Sequence, residues 1–254
     1  PTDEAPISDL LLHGEPSDHA RAAAYLAGPA TVAALVERYL AAEAKYRAGG
    51  DRAAYKPVRA LSDLLAQTRA SVLLDVVTGY GDDLASDVIS DLAGLISGHG
   101  RPIGEEQLVL PEELRRTIGG CLVAWARRVL DGGADRSVMG KLTWAMRRLP
   151  DVSQVAVLAD MLAADLRMRG EAAEAFSADR SNRRVRQELQ TSHNWDYRNP
   201  LVSVGSAEGE AVLTAYLHHE EFGVDAAICL QLIWLRTNEP ARDARFLQWP
   251  EVDR

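Results

Sequence analysis

Residues 111–130 read PEELRRTIGGCLVAWARRVL, and this stretch decides the fold class. It opens with a proline and two acidic residues, which favours the start of a helix, because proline fixes φ and acids lie at the positive end of the helix dipole. Apolar residues then recur every three or four positions, at Leu114, Ile118, Cys121, Leu122, Trp125 and Val129. This spacing places them on one face of an amphipathic α-helix.

The same helical period continues on both sides of this stretch. Upstream, the apolar face of one predicted helix comprises Val32, Leu35, Val36, Tyr39 and Leu40. Another helix is predicted from Pro57, with a break near Arg69. Further helices are predicted around Val138, from Val155 to near Gly170, from Ser206, and after Gly223. We therefore predict an all-α fold of stacked antiparallel helix pairs, arranged as an α-solenoid or as a compact helical array.

Two segments near the C-terminal end of the chain need separate interpretation. Residues 171–191 are helical by composition but strongly charged, so they are predicted to cover the surface or to bridge packed units. Residues 191–204 show no apolar period and combine aromatic with polar side chains, which predicts a structured loop. The helix predicted after Gly223 carries the apolar residues Ile228, Cys229, Leu232, Ile233 and Leu235.

The composition indicates a globular chain that does not enter a membrane. The 254 residues are 47% hydrophobic, enough to bury a core without disulfides, and they include no apolar run near the roughly 18 residues that span a bilayer. No basic and then apolar leader precedes the first helices, and two distant cysteines, Cys121 and Cys229, suit a reducing compartment. We expect a cytoplasmic protein, and the initial Pro1 suggests a processed or excised chain.

The net charge of −9 disfavours general nucleic-acid binding, which needs a cationic surface. The charge is unevenly distributed. Residues 1–110 hold 9 Lys and Arg against 16 Asp and Glu, residues 111–186 hold 14 against 10, and residues 187–254 hold 5 against 11. With the glycine-rich loop near residue 100 as a seam, we predict an acidic N-terminal helical half, residues 1–100. A C-terminal half, residues 101–254, has a basic centre and continues from the first.

Two sets of residues are candidates for a binding site. The first set is the arginines of the basic centre: Arg147, Arg148, Arg180, Arg183, Arg184 and Arg186. They could form a patch for phosphate or an acidic partner, or they could be solvated residues that pair with nearby acids, which is the commoner arrangement. The second set lies in the predicted loop: His193, Trp195, Asp196, Tyr197 and Arg198. These side chains offer a base, a carboxylate, a phenol and a cation, although such loop residues more often hold their own backbone in place.

No motif predicts a metal or a cofactor. Gly133 and Gly140-Lys141 have the wrong spacing for a phosphate-binding loop, and Leu142 stands where that motif needs a hydroxyl. The run from His218 to Glu221 contains metal-ligating residue types, but neighbours on a helix point in different directions and do not converge on one ion.

The last predicted helix pair, residues 207–237, resembles the helix–turn–helix unit of HEAT-like repeats. The resemblance rests on residues 215–223, AYLHHEEFG, followed by Ala226-Ala227 and Ile233-Trp234. HEAT-like repeats form the sensor or scaffold arms of bacterial signalling and defence ATPases. The resemblance therefore implies a helical-repeat domain within a larger bacterial protein.

Two function classes follow, and the sequence favours the first. In the first, the chain is a non-enzymatic helical scaffold that offers a concave surface to a protein partner or to another copy of itself. In the second, it binds nucleic acid, or it is an enzyme similar to the HEAT-like alkylpurine DNA glycosylases. Suitable residue types for that second class are Trp125, Trp144, Arg148, Asp151 and Trp195. A third possibility is a compact oligomeric bundle, which would expose apolar patches on its outer helices.

Overall fold

The computed structural model describes residues 4–13, 18–49, 52–80, 85–98, 102–103, 106–107, 110–178 and 194–237. Twelve α-helices lie within these residues, together with one 3₁₀ turn and one pair of two-residue strands. The elements of the first part are α1 (Glu4–His13), α2 (Asp18–Leu26), α3 (Pro29–Arg47), α4 (Arg52–Leu65), α5 (Ala70–Thr78), α6 (Ser86–Gly98), β1 (Pro102–Ile103), β2 (Glu106–Gln107), α7 (Glu112–Asp131) and α8 (Arg136–Arg148). The remaining elements are the 3₁₀ turn (Val152–Gln154), α9 (Val155–Ala178), α10 (Asn194–Val204), α11 (Ala207–Ala215) and α12 (Gly223–Thr237). The all-α prediction is confirmed.

Local sequence signals fix several helix starts. Pro111 directly precedes α7, as the opening stretch predicts. The Asp135 carboxylate accepts hydrogen bonds from the backbone N–H groups of Ser137 at 2.8 Å and Val138 at 3.1 Å, which caps α8. Ser206 caps α11 by accepting from the Gly209 N–H at 3.2 Å. These side chains supply acceptors for N–H groups that have no partner within the helix.

Three sequence-based boundaries are wrong, each for a different reason. Helix α4 begins at Arg52, before Pro57, because this proline lies inside the helix instead of at its first position. Helix α9 continues through Gly170 to Ala178, since a glycine weakens a helix by only about 1 kcal/mol. The segment predicted to be a loop contains α10, whose Tyr197 and Leu201 are buried one helical turn apart. The predicted break near Arg69 is confirmed between α4 and α5.

Contacts divide the chain into two compact units, Pro1–Leu149 and Pro150–Arg254. The predicted division at residues 100 and 101 follows charge and a loop, and it does not coincide with this contact boundary. In the first unit, α3 packs on α4 and α6 packs on α8. Its fully buried side chains include Leu35, Leu65, Leu92, Leu122, Met139 and Leu142.

The second unit has its own core. Helix α12 packs on α10 and α11, and α9 contacts both α10 and α11. Leu158, Leu162 and Leu201 are fully buried in this unit, as are Leu213, Phe222 and Ile233. Among the described residues of both units, no helix is both long and apolar enough to span a membrane.

Candidate functional site

The predicted arginine patch lies only partly within the described residues. Arg147 and Arg148 end α8, where Arg147 is exposed and the Arg148 guanidinium stacks 3.8 Å from the centre of the Trp144 ring. Arg180, Arg183, Arg184 and Arg186 lie outside the described residues, and so does His193. The structure therefore places a cation–aromatic pair on α8 and leaves the remainder of the patch a prediction.

Elsewhere in the basic centre, several arginines pair with acids on their own helices. Arg169 lies 3.5 Å from the Asp165 carboxylate, and both side chains are buried. On the surface, Arg116 pairs with Glu112 at 3.1 Å. These pairs are four residues apart in sequence, the spacing at which opposite charges meet on a helix. Such pairing reduces the positive field that the central arginines present to a ligand.

The second candidate set belongs to α10. Trp195 and Asp196 are helical, but their side chains lie outside what the structure describes. Tyr197 is buried, and the Arg198 Nη1 donates to the Asp225 Oδ1 at 2.9 Å. This ion pair is mostly buried and joins α10 to α12. Tyr197 and Arg198 thus help to hold the second unit together.

The two cysteine thiols are poorly suited to nucleophilic chemistry. Burial raises the pKa of Cys121 to about 11. Burial also raises the pKa of Cys229 to about 11, although the nearby Arg198 guanidinium acts in the opposite direction. Because the thiolate is the nucleophile, both groups remain protonated and unreactive near neutral pH.

Two of the residues that suit a DNA glycosylase, Trp125 and Asp151, have structural roles. Trp125 is buried in the core of the first unit. Asp151 caps the 3₁₀ turn, with its Oδ1 accepting from the Ser153 N–H at 2.9 Å. Within the described residues, no three His, Cys, Asp or Glu side chains are grouped so that they could hold a metal ion.

A buried carboxylate lies at the centre of a polar cluster in the described part of the first unit. Asp91 of α6 is 6% exposed, pairs with Arg47 of α3, and accepts from the Lys141 Nζ of α8 at 3.3 Å. Asp87 lies 3.8 Å from Arg47. Burial lowers the pKa of Lys141, and the Arg47 charge lowers it further, while nearby carboxylates act against the shift. The cluster ties three helices together by charge.

Helix α12 has apolar residues on two opposite faces. The inward face comprises Ala226, Cys229, Leu230, Ile233 and Trp234, all buried. The outward face, which we call the α12 stripe, comprises Val224, Ile228, Leu232 and Leu235. Three of these side chains expose 67%, 40% and 46% of their surface, in the order Val224, Leu232, Leu235, and Ile228 is half-buried. The spacing of four, four and three residues keeps the stripe on one side of the helix.

The surroundings of the α12 stripe are acidic. Glu220 and Glu221 are exposed one turn before Val224. The described part of the second unit holds 4 Arg and 11 Asp and Glu, a net charge of −7. A ligand on this face therefore meets an apolar strip with acidic residues near its N-terminal end.

Sequence reasoning found the apolar residues of α12 but not their division between two faces. The helical spacing of the apolar residues predicts that Ile228, Leu232 and Leu235 lie on a helix. It does not show that five other apolar residues of α12 make the buried contacts with neighbouring helices. The sequence does contain a signal for this division, because apolar residues occur on both faces of α12. A helix with apolar residues all round is buried on every side or has an unoccupied face.

The described residues define an all-α protein with two compact helical units and an apolar face on one outer helix. Comparison with known proteins finds no matching family model, no matching curated protein and no matching solved structure.

Proposed function

We propose that this chain is a non-enzymatic helical interaction domain, and that the α12 stripe is the surface on which a protein partner docks. The exposure of Val224, Leu232 and Leu235 along one line of α12 carries this proposal. Three large aliphatic side chains aligned on one face concentrate apolar surface, whereas isolated exposed apolar residues are common.

The partner that best fits this face is an amphipathic helix with basic flanks. A helix docks on another through residues spaced by three and four positions, which is the spacing of the stripe. Lys and Arg beside its apolar residues would face the exposed Glu220, while Glu221 lies 3.7 Å from the Arg169 guanidinium. A second copy of this chain fits less well, because it would bring its own Glu220 to the same surface.

The area of the stripe also favours a helical segment over a dimer partner. Four partly exposed aliphatic side chains offer on the order of 300 Å² of apolar surface, while a standard interface buries about 800 Å² on each side. A short helix needs less area, and at about 25 cal/mol per Å² the stripe contributes several kcal/mol before the costs of association.

As part of the same proposal, the helix pairs are HEAT-like repeats of a larger bacterial signalling or defence protein. The support is the resemblance over residues 207–237, a range that contains both helices of the α11–α12 pair. In such arrays internal repeats bury apolar faces against their neighbours, whereas terminal repeats have a polar outer face, so the exposed apolar residues of α12 suit a helix that packs on a further unit.

The test uses a fluorescein-labelled leucine–lysine helical peptide of about 18 residues as the probe. We expect anisotropy to show binding, with affinity reduced at least tenfold by Leu232→Ser combined with Leu235→Ser. The matched control is Leu26→Ser, which alters a comparably exposed leucine on α2. Absence of binding to the wild type, or equal weakening by the control, would refute the docking surface.

A leucine–glutamate peptide of the same length tests the charge argument, and we expect it to bind at least tenfold more weakly. Sedimentation at increasing protein concentration tests the second copy. A dimer that Leu232→Ser with Leu235→Ser abolishes would replace the proposed partner with self-association.

A second candidate is nucleic-acid binding, favoured by the stacking of Arg148 on the exposed Trp144 ring. Aromatic and guanidinium groups together can stack on bases and contact phosphate. The test is a titration with labelled single- and double-stranded DNA at several salt concentrations, comparing the wild type with Arg183→Glu/Arg184→Glu and with Trp144→Ala. Binding that falls steeply with salt and is lost in the variants would favour this candidate over the protein partner.

A further inference from the structure

A groove in the first unit has the size and the lining of a small-molecule site. It encloses about 500 Å³ beside α2, the α4–α5 connection and the start of α7. Known ligand pockets range over about 300–1,000 Å³. Its apolar wall includes Ala22, Leu110 and Leu114, and its polar lining includes Arg21, Gln67, Arg69 and Ser71.

Two arginines give this groove N–H donors for an anion. Arg21 lies on α2 and Arg69 lies just before α5, and both line the groove. The Arg69 Nη2 donates to the Ala27 carbonyl at 3.4 Å, which orients its guanidinium and uses one of its five N–H donors. Arginine is suited to this role, because its planar fork binds phosphate or carboxylate oxygens in pairs.

The charge of the groove differs from that of its surroundings. Residues 1–110 carry a net charge of −7, from 9 Lys and Arg against 16 Asp and Glu. Yet none of the described residues that line the groove is acidic. Of the acids that follow Pro111, Glu112 is paired with Arg116 at 3.1 Å and Glu113 is exposed. Cations gathered in a cleft attract an anion more strongly than the same cations on a convex surface.

An aromatic ring lies beside these cations. Tyr25 also lines the groove and exposes 61% of its surface. It follows Arg21 by four residues on α2, so the two side chains share one face of that helix. Gln67 and Ser71 add an amide and a hydroxyl that can accept or donate hydrogen bonds. Arg21 and Tyr25 therefore offer an anion contact and a ring on the same wall of the groove, and Arg69 adds a second cation.

We infer that this groove binds a small phosphorylated ligand with a planar ring, of the size of a nucleoside monophosphate. The phosphate contacts Arg21 and Arg69, and the ring stacks on Tyr25. The site is separate from the α12 stripe, which belongs to the other unit, so either proposal can hold without the other.

The test is isothermal titration of the full chain with AMP, with adenosine and with inorganic phosphate. We expect AMP to bind with a Kd on the order of 0.1 mM and to be weakened at least tenfold by Arg21→Gln combined with Arg69→Gln. Tyr25→Ala should weaken AMP about tenfold and leave phosphate binding unchanged.

The matched control is Arg59→Gln, which removes an exposed arginine of α4 that does not line the groove. Circular dichroism and the thermal midpoint show that each variant is folded. No binding of AMP at millimolar concentration, or equal weakening by the control, would overturn the site. Equal affinity for phosphate and AMP would overturn the role of the ring.

Discussion

Removal of the Asp91 carboxylate is expected to destabilise the first unit strongly. In Asp91→Asn the side chain keeps its shape but loses the charge that faces Arg47 and Lys141. The carboxylate is 6% exposed, whereas Lys141 is 42% exposed and can turn towards water. Asparagine also places an N–H₂ donor near cationic donors, so one contact becomes unfavourable.

The size of the effect follows from burial. Removing one partner of a fully buried pair costs about 3–5 kcal/mol, and an exposed pair contributes about 0–1 kcal/mol. Because one partner here is half-exposed, we expect a loss of about 2–4 kcal/mol in the free energy of unfolding. For a unit of this size, each kcal/mol shifts the thermal midpoint by about 2–4 °C, so Tm should fall by about 4–16 °C.

Urea unfolding followed by circular dichroism measures this loss, with Asp63→Asn as the control. Asp63 lies 4.0 Å from Arg59 in an exposed pair, and its loss should cost less than about 0.5 kcal/mol. Replacement of Asp91 and its two cationic partners by Asp91→Leu, Lys141→Met and Arg47→Met should recover part of the stability, since apolar groups need no charge partner, while Glu43 loses its 4.0 Å contact with Arg47. A cost below about 1 kcal/mol for Asp91→Asn would refute the reasoning.

Three other predictions concern the space around two glycines and the pH dependence of stability. A Cβ at Gly223 would lie 2.5 Å from the Leu217 carbonyl oxygen, so Gly223→Ala should cost about 1–3 kcal/mol in chemical denaturation. In contrast, Gly120→Ala meets open space inside α7 and should stabilise by about 0.5–1 kcal/mol; a loss in that variant would contradict the helix-propensity argument. The buried Cys229 thiol keeps its proton up to a pKa of about 11, against 9.0 when unfolded, so its stabilising contribution is complete below pH 9 and is lost as the pH rises through 11. The free energy of unfolding, measured from pH 8 to 11, should therefore fall more steeply with pH in the wild type than in Cys229→Ala. Equal slopes in the two proteins would rule out the Cys229 thiol as the cause.

The helices that sequence predicted well are those with strong end signals. Pro111 with two acids and the Ser206 cap both act within one turn, so no distant contact is needed to specify the starts of α7 and α11. Helix α10 was missed because polar residues conceal its buried positions Tyr197, Pro200 and Leu201. Those residues do have helical spacing, but only packing against α9 and α12 shows which of them are buried.

The candidate surfaces were less predictable than the helices. The candidate residues were selected from the sequence because their side chains carry reactive groups. In the structure, Tyr197 is buried and Arg198 pairs with Asp225, so both hold α10 against its neighbours. The α12 stripe and the arginine groove each depend on exposure, which is a property of tertiary packing. In the groove, Arg21 and Arg69 are 48 positions apart in the chain, too far for any local pattern to relate them.

The sequence by itself determined the helical class and most helix starts, because hydrophobic period and end caps act over a few neighbouring residues. Only the tertiary structure decided which apolar face of α12 is buried, since both faces satisfy the same period and the choice depends on contacts with α10 and α11. The same holds for Asp91, whose burial is set by the helices that bring Arg47 and Lys141 to it from 44 and 50 positions away. Local rules specify helices, and packing specifies what those helices expose.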